Sequence, residues 1–116
     1  MSSSHSFSLD PQPVPNVNTK NRYIHTLIPA PGTKELLARL SKVESRSMHG
    51  QLPIVWDRAE DFNVFDIAGN KWIDFTSTIF VANVGHSNKR VNAAIKASTE
   101  QPLVSCYSYA NPTRAL

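Results

Sequence analysis

The chain has 116 residues, enough for one small domain at most. Its composition is ordinary, at 41% apolar, 18% charged and 9% aromatic, which excludes a wholly disordered or collagen-like polypeptide. A net charge of +3 is scattered, with Lys89-Arg90 as the longest basic cluster, so the concentrated cationic face of a nucleic-acid binder is not expected.

Residues 1–32 are rich in Ser, Pro and Asn, with Pro11, Pro13, Pro15, Pro29 and Pro31 spread along them. Proline fixes φ and removes a donor, and few large apolar groups are present to offset ordering entropy. This stretch is expected to be a disordered or extended N-terminal arm, with Tyr23–Ile28 as the part able to dock. No apolar h-region marks a secretory signal, and no run approaches the roughly 20 residues that span a bilayer. A cytoplasmic protein without membrane contact is expected. The lone Cys106 permits no internal disulfide and suits a reducing compartment.

Pro31-Gly32-Thr33 announces a helix, with Thr33 as the expected N-cap. Leu36, Leu37, Leu40 and Val43 form one apolar stripe, and Glu35 and Arg39 are paired four apart. The helix is expected to end near Met48-His49-Gly50, with Gly50 in the left-handed position after it. Pro53–Asp57 reads as a short strand or extended lead-in. Phe62–Asp66 and Lys71–Phe75 read as the two strands of a hairpin around Ile67-Ala68-Gly69-Asn70, where Gly69 is free to take positive φ. Such a hairpin needs a cover, because alone it is marginal in water.

Thr76–Val84 is apolar but irregular. Gly85-His86-Ser87-Asn88 breaks the pattern, and Ser87 or Asn88 caps a second helix from about Lys89 to Thr99, with Val91, Ala94, Ile95 and Ser98 on one face. Gln101-Pro102 stops it, and Leu103–Tyr109 reads as extended. His86 has no second ligand at a metal-like spacing, so a structural imidazole is expected and no metal site is assigned. Asp66 and Asp74 flank a tight turn and read as turn and edge residues rather than a catalytic carboxylate pair.

The ordered set from Pro53 onward carries a resemblance. Pro53-Ile54-Val55-Trp56-Asp57-Arg58-Ala59-Glu60, then Val64-Phe65-Asp66 with Gly69-Asn70-Lys71-Trp72-Ile73-Asp74-Phe75, then Val84-Gly85-His86, then Val91 with Ala94-Ile95 resembles class III pyridoxal-phosphate-dependent aminotransferases, the family of 4-aminobutyrate and ornithine aminotransferases. The resemblance implies an α+β N-terminal segment (helix, β-hairpin, helix) of a fold-type-I transferase, whose intact form has an α/β/α large domain. Residues 33–116 would then be the N-terminal part of the small domain and the start of the large one, incomplete as an independent domain.

The resemblance also implies transfer of an amino group from an amino acid or ω-amino acid to a 2-oxo acid, in a homodimer. In such enzymes the cofactor aldehyde is held by a lysine and its ring withdraws electrons from the substrate carbon. The lysine, the carboxylate facing the ring nitrogen and the phosphate-binding loop match positions beyond residue 116, so no catalytic or cofactor-binding residue is assigned and the chain alone is expected to be inactive. Ile79 matches a position bordering the substrate and Phe80 is its neighbour. Tyr107 and Ser108 match a segment that approaches the active site. Two departures stand out: Thr78 occupies a position that is usually glycine, which matters if the backbone there needs positive φ, and Lys89 replaces a helix-start proline. The alternatives are a non-catalytic interaction module that pairs with full-length subunits, and an unrelated small α+β binding domain.

Overall fold

A computed structural model of the protein describes residues 7–100 and 110. The centre is a five-stranded antiparallel sheet in the order β1-β2-β5-β4-β3, built from β1 (Val17–Asn18), β2 (Tyr23–Ile24), β3 (Trp56–Glu60), β4 (Asn63–Asp66) and β5 (Lys71–Ile73). Three helical segments hang on it: α1 (Thr33–Leu40), α2 (Ser77–Phe80) and α3 (Lys89–Ser98). This is a small α+β segment.

The β4–β5 hairpin forms as the turn chemistry dictates. Gly69 sits at φ 84°, and the Asp66 carboxylate accepts from the amides of Ala68 and Asn70, both at 3.0 Å, so the Asx side chain replaces a missing strand partner. The register is Asn63↔Ile73, Val64↔Trp72 and Phe65↔Lys71. The third strand starts later than Pro53. It occupies Trp56–Glu60 and pairs with β4, with a bulge between Trp56 and Arg58. The bulge puts Trp56 and Ala59 on the same face as Val64 and Trp72. Arg58 stacks over the ring of Phe65 at 3.6 Å on the opposite face.

Within residues 1–32, the described part doubles back into a hairpin and joins the sheet. Thr19 closes its turn, its hydroxyl donating to the Arg22 carbonyl and accepting from the Arg22 amide, and Tyr23 pairs with Lys71. Two buried asparagines tie this hairpin down. The Asn63 amide donates to the carbonyls of Asn21 (2.8 Å) and Trp72 (2.9 Å). Asn70 Oδ1 accepts from the His25 and Thr26 amides, while its Nδ2 donates to Thr26 Oγ1 (2.7 Å) and Asp66 Oδ2 (2.8 Å). Polar side chains of the second hairpin thus do what apolar residues of the first hairpin are too few to do.

Helix α1 differs from its sequence expectation at both ends. Gly32, at φ 86°, is the N-cap, and Leu36 donates to the Gly32 carbonyl. Thr33 is one residue inside the helix and wholly buried, and its hydroxyl has no hydrogen-bond partner. The glycine's left-handed geometry starts the helix early and turns Thr33 inward instead of over the first turn. The helix then stops at Leu40. The Ser41 hydroxyl bonds back to Ala38, the Ser45 and Ser47 hydroxyls bond to each other, and Arg46–Met48 form a short 3-10 turn before Gly50 at φ 81°. Serine hydroxyls compete with the helical ladder, and Val43, at the end of the expected stripe, is left exposed by the described residues.

Helix α3 follows its expected start. Asn88 Oδ1 accepts from the amides of Arg90 (3.1 Å) and Val91 (3.2 Å). Its apolar stripe is open, with Val91 and Ile95 both exposed.

The interior is small. Among the described residues, the buried apolar side chains are Ile24, Pro29, Ala30, Pro53 and Val64, beside buried Thr33, Asn63, Asp66 and Asn70.

Candidate functional site

One face of the sheet opens into an apolar cleft of about 740 Å³, bordered by Trp56, Val64, Trp72, Phe75, Thr78 and Ile79. The segment following β5 builds its rim. Asp74 is anchored by its amide to the Phe62 carbonyl, and its side chain is 2% exposed. The carboxylate accepts from the Thr76 amide (2.9 Å), the Thr76 hydroxyl (2.8 Å), the Thr78 amide (3.2 Å) and His86 Nε2 (2.8 Å). His86 is fixed in turn through its backbone, which exchanges two hydrogen bonds with Asp61 (3.0 and 2.6 Å), and its ring meets Trp56 edge-on at 6.0 Å. Burial by itself would push the Asp74 carboxyl up. The hydrogen bonds from His86, from the Thr76 side chain and from the two backbone amides outweigh it and hold the group at about 2.

The folded pKa lies below the ordinary 3.8, so the stabilisation is present above pH 3.8 and is lost as pH falls through about 2. We expect the rim segment to lose about 2 kcal/mol of stabilisation across that window. Hydrogen exchange of the Thr76 and Thr78 amides reads it directly, and an Asp74→Asn chain should show no such acid loss.

Between these anchors the backbone turns the unusual way. Ser77, Thr78, Ile79 and Phe80 have φ of 48°, 52°, 61° and 68°, and the Phe80 amide donates to the Thr76 carbonyl, so α2 is one left-handed turn. For L-residues this costs roughly 1–2 kcal/mol each, and two of the four are β-branched. The glycine usual at position 78 would remove that cost there; Thr78 bears it.

The turn carries Ile79 and Phe80 outward, 77% and 78% exposed. Ile79 lines the cleft, whereas Phe80 is not among the lining residues. The structure therefore separates the two neighbours expected to border substrate. Tyr107 and Ser108 lie outside the described residues. The structure also reveals what sequence reading missed: Asp74 and His86, twelve residues apart, form one unit. Asp66, by contrast, only closes its turn and braces Asn70 and Trp72. Among the described residues no group of three His, Cys, Asp or Glu side chains is placed to hold a metal ion, and no helix is long and apolar enough to cross a membrane.

The cleft does not fit pyridoxal phosphate by itself. Among the described residues its charged lining group is the Asp74 carboxylate, which would repel a phosphate, and no described lysine or arginine lines it. The Lys71 ammonium lies elsewhere, donating to the Lys20 carbonyl.

Comparison with known proteins gives a consistent assignment. The profile of the family described as aminotransferase class-III matches residues 44–115. The chain is 36% identical over 74 residues to the 4-aminobutyrate aminotransferase GabT of Escherichia coli (strain K12), covering 64% of the chain and 17% of that protein. It is 32% identical over 79 residues to the mitochondrial ornithine aminotransferase of Oryza sativa subsp. japonica, covering 68% of the chain and again 17% of the relative. Among solved structures, the acetylornithine aminotransferase of Elizabethkingia anophelis superposes with a TM-score of 0.56 at 26% identity, over 68% of the chain and 20% of its own length. The chain thus spans about a fifth of the proteins it matches.

Proposed function

Since the chain belongs to the class III aminotransferase family, we propose that it supplies the N-terminal wall of the substrate entrance in a pyridoxal-phosphate-dependent aminotransferase and carries no catalytic group of its own. The observation that supports this most is the cleft with Ile79 held on its rim. An apolar side chain there excludes water and selects the aliphatic part of an amino acid or ω-amino acid, while an acceptor 2-oxo acid enters by the same route. Phe80 is a weaker candidate for the same border. Tyr107 and Ser108 are proposed to approach the site from further along the chain.

The cofactor belongs, in this reading, to protein beyond these residues, because among the described residues the cleft offers neither a lysine amine nor a cationic side chain for a phosphate. The intact enzyme is proposed to be a cytoplasmic homodimer. A second reading, in which the chain pairs with full-length subunits and performs no chemistry, draws on the apolar face left open beside the cleft.

The test is direct. The purified chain is mixed with pyridoxal phosphate, reduced with borohydride and digested, and the peptides are weighed. We expect no single lysine to be labelled above the background of exposed amines. Stoichiometric labelling of one lysine, with a matching absorbance band, would overturn the assignment of a non-catalytic wall.

A further inference from the structure

The loop from Asp74 to His86 begins and ends on the same support. Asp74 hangs from Phe62 and His86 from Asp61, the two residues that join β3 to β4. Gly85, at φ 85°, brings the chain so close to this joint that a Cβ would meet the Asp61 Cα at 3.2 Å. The Ser87 hydroxyl adds a bond to the Ala59 carbonyl at 2.6 Å. Against that fixed base the Asp74 carboxylate reaches forward into the loop, taking the Thr76 and Thr78 amides, while His86 grips it from behind.

Those two amides flank the start of the left-handed turn. An isolated segment of Ser, Thr, Ile and Phe would not hold four successive positive φ values, because each Cβ crowds the following carbonyl. Thr78 is exposed, so packing of its side chain does not impose the geometry. Strain of this kind persists only where the surroundings over-determine it. We propose that the Asp74–His86 pair is a positioning device that holds the turn Ser77–Phe80 left-handed and thereby fixes the direction in which Ile79 meets the cleft. Only the identity of what Ile79 meets rests on the proposed function; the holding of the turn does not.

The proposal makes a sign-specific prediction about one substitution. With Asp74 in place, Thr78→Gly keeps the amide that Asp74 binds and removes the Cβ clash, so the turn is stabilised. With Asp74 replaced by alanine, the turn is free to leave the left-handed region. Glycine then shows only its ordinary entropic cost, and the same substitution destabilises. A strut that merely tied residue 74 to residue 86 would give Thr78→Gly the same effect in both backgrounds.

The measurement is amide hydrogen exchange over residues 74–86 of the full 116-residue chain. Thr78→Gly is expected to raise protection about five-fold in the natural background and to lower it about two- to five-fold in the Asp74→Ala background. Should Asp74→Ala abolish protection altogether, His86→Gln, which retains a donor, replaces it as the weakened background, and the gain from Thr78→Gly should shrink there. Lower protection for Thr78→Gly alone, or equal gains in both backgrounds, would overturn the proposal. The readout needs no enzymatic activity, so it fails or succeeds independently of the aminotransferase reading.

Discussion

Replacing Asp66 with alanine is expected to destabilise the sheet by about 3 kcal/mol or more, enough to detach the first hairpin from the second. Asp66 is almost wholly buried, and its two oxygens accept four hydrogen bonds. Oδ1 takes the amides of Ala68 and Asn70, and Oδ2 takes Asn70 Nδ2 at 2.8 Å and the Trp72 indole at 3.1 Å. Hydrogen bonds to an ionised acceptor contribute roughly 1.5–3 kcal/mol each, and a donor left unpaired inside the protein costs more than the bond was worth. Asn70 is fully buried, so its amide has no route to water. It also holds His25 and Thr26, so disorder there propagates into β2. Asp66→Asn retains one good acceptor and is expected to cost about half as much. Exchange protection in β2 and β5, with Trp72 fluorescence as a second probe, separates the variants. A loss below about 1 kcal/mol for the alanine variant would contradict this view of the sheet's centre.

The second large effect concerns the face that no described residue covers. Phe75 is 90% exposed and lines the cleft with exposed Ile79, Leu52 and Trp56, while Phe80, Val81 and Val84, which do not line it, are exposed further along the same segment. Singly exposed apolar residues are ordinary, but a contiguous group of this size marks an interaction surface. Fully burying a side chain such as Phe, Ile or Val gains about 1.5–3 kcal/mol, so a cover over four or five of them would add about as much as a whole small domain's margin of stability. The expected consequence is that the chain by itself is loosely held. It should bind a hydrophobic dye, self-associate as concentration rises, and lose structure gradually rather than at one midpoint. If a partner surface covers them, the same residues should become the best protected in the segment.

Much of the hairpin was legible in the residues, because its determinants are local. Asp66, Gly69 and Asn70 specify a turn whatever surrounds them, and Asn88 caps α3 by reaching two amides within three residues. Helix α1 was less legible because length depends on packing: Leu36 through Val43 repeat at helical spacing, yet with Val43 left exposed by the described residues the serines win and the helix stops at Leu40. Thr33 read as a cap because threonine often caps, while Gly32 next to it does so by backbone geometry alone. The docking of residues 17–24 depends on Asn63 and Asn70 reaching across more than 40 positions, and no periodicity records a buried asparagine.

The site divides the same way. That position 78 matters was visible as a departure from glycine, and its φ of 52° gives the physical reason. The link between Asp74 and His86 was not visible, because it arises from two anchors on the β3–β4 joint and not from spacing in the chain. Ile79 was identified through family resemblance, and the structure shows only that it lines the cleft.

Chemical denaturation of the purified chain, followed by Trp56 and Trp72 fluorescence alongside a dye that lights up on apolar surface, tests the open face most directly. A broad, non-cooperative transition with dye already bound in the absence of denaturant is the predicted result. A single sharp transition, with a slope fitting burial across the whole chain and no dye bound beforehand, would mean that the face beside the cleft is covered from within and that the polypeptide needs no partner to roof it.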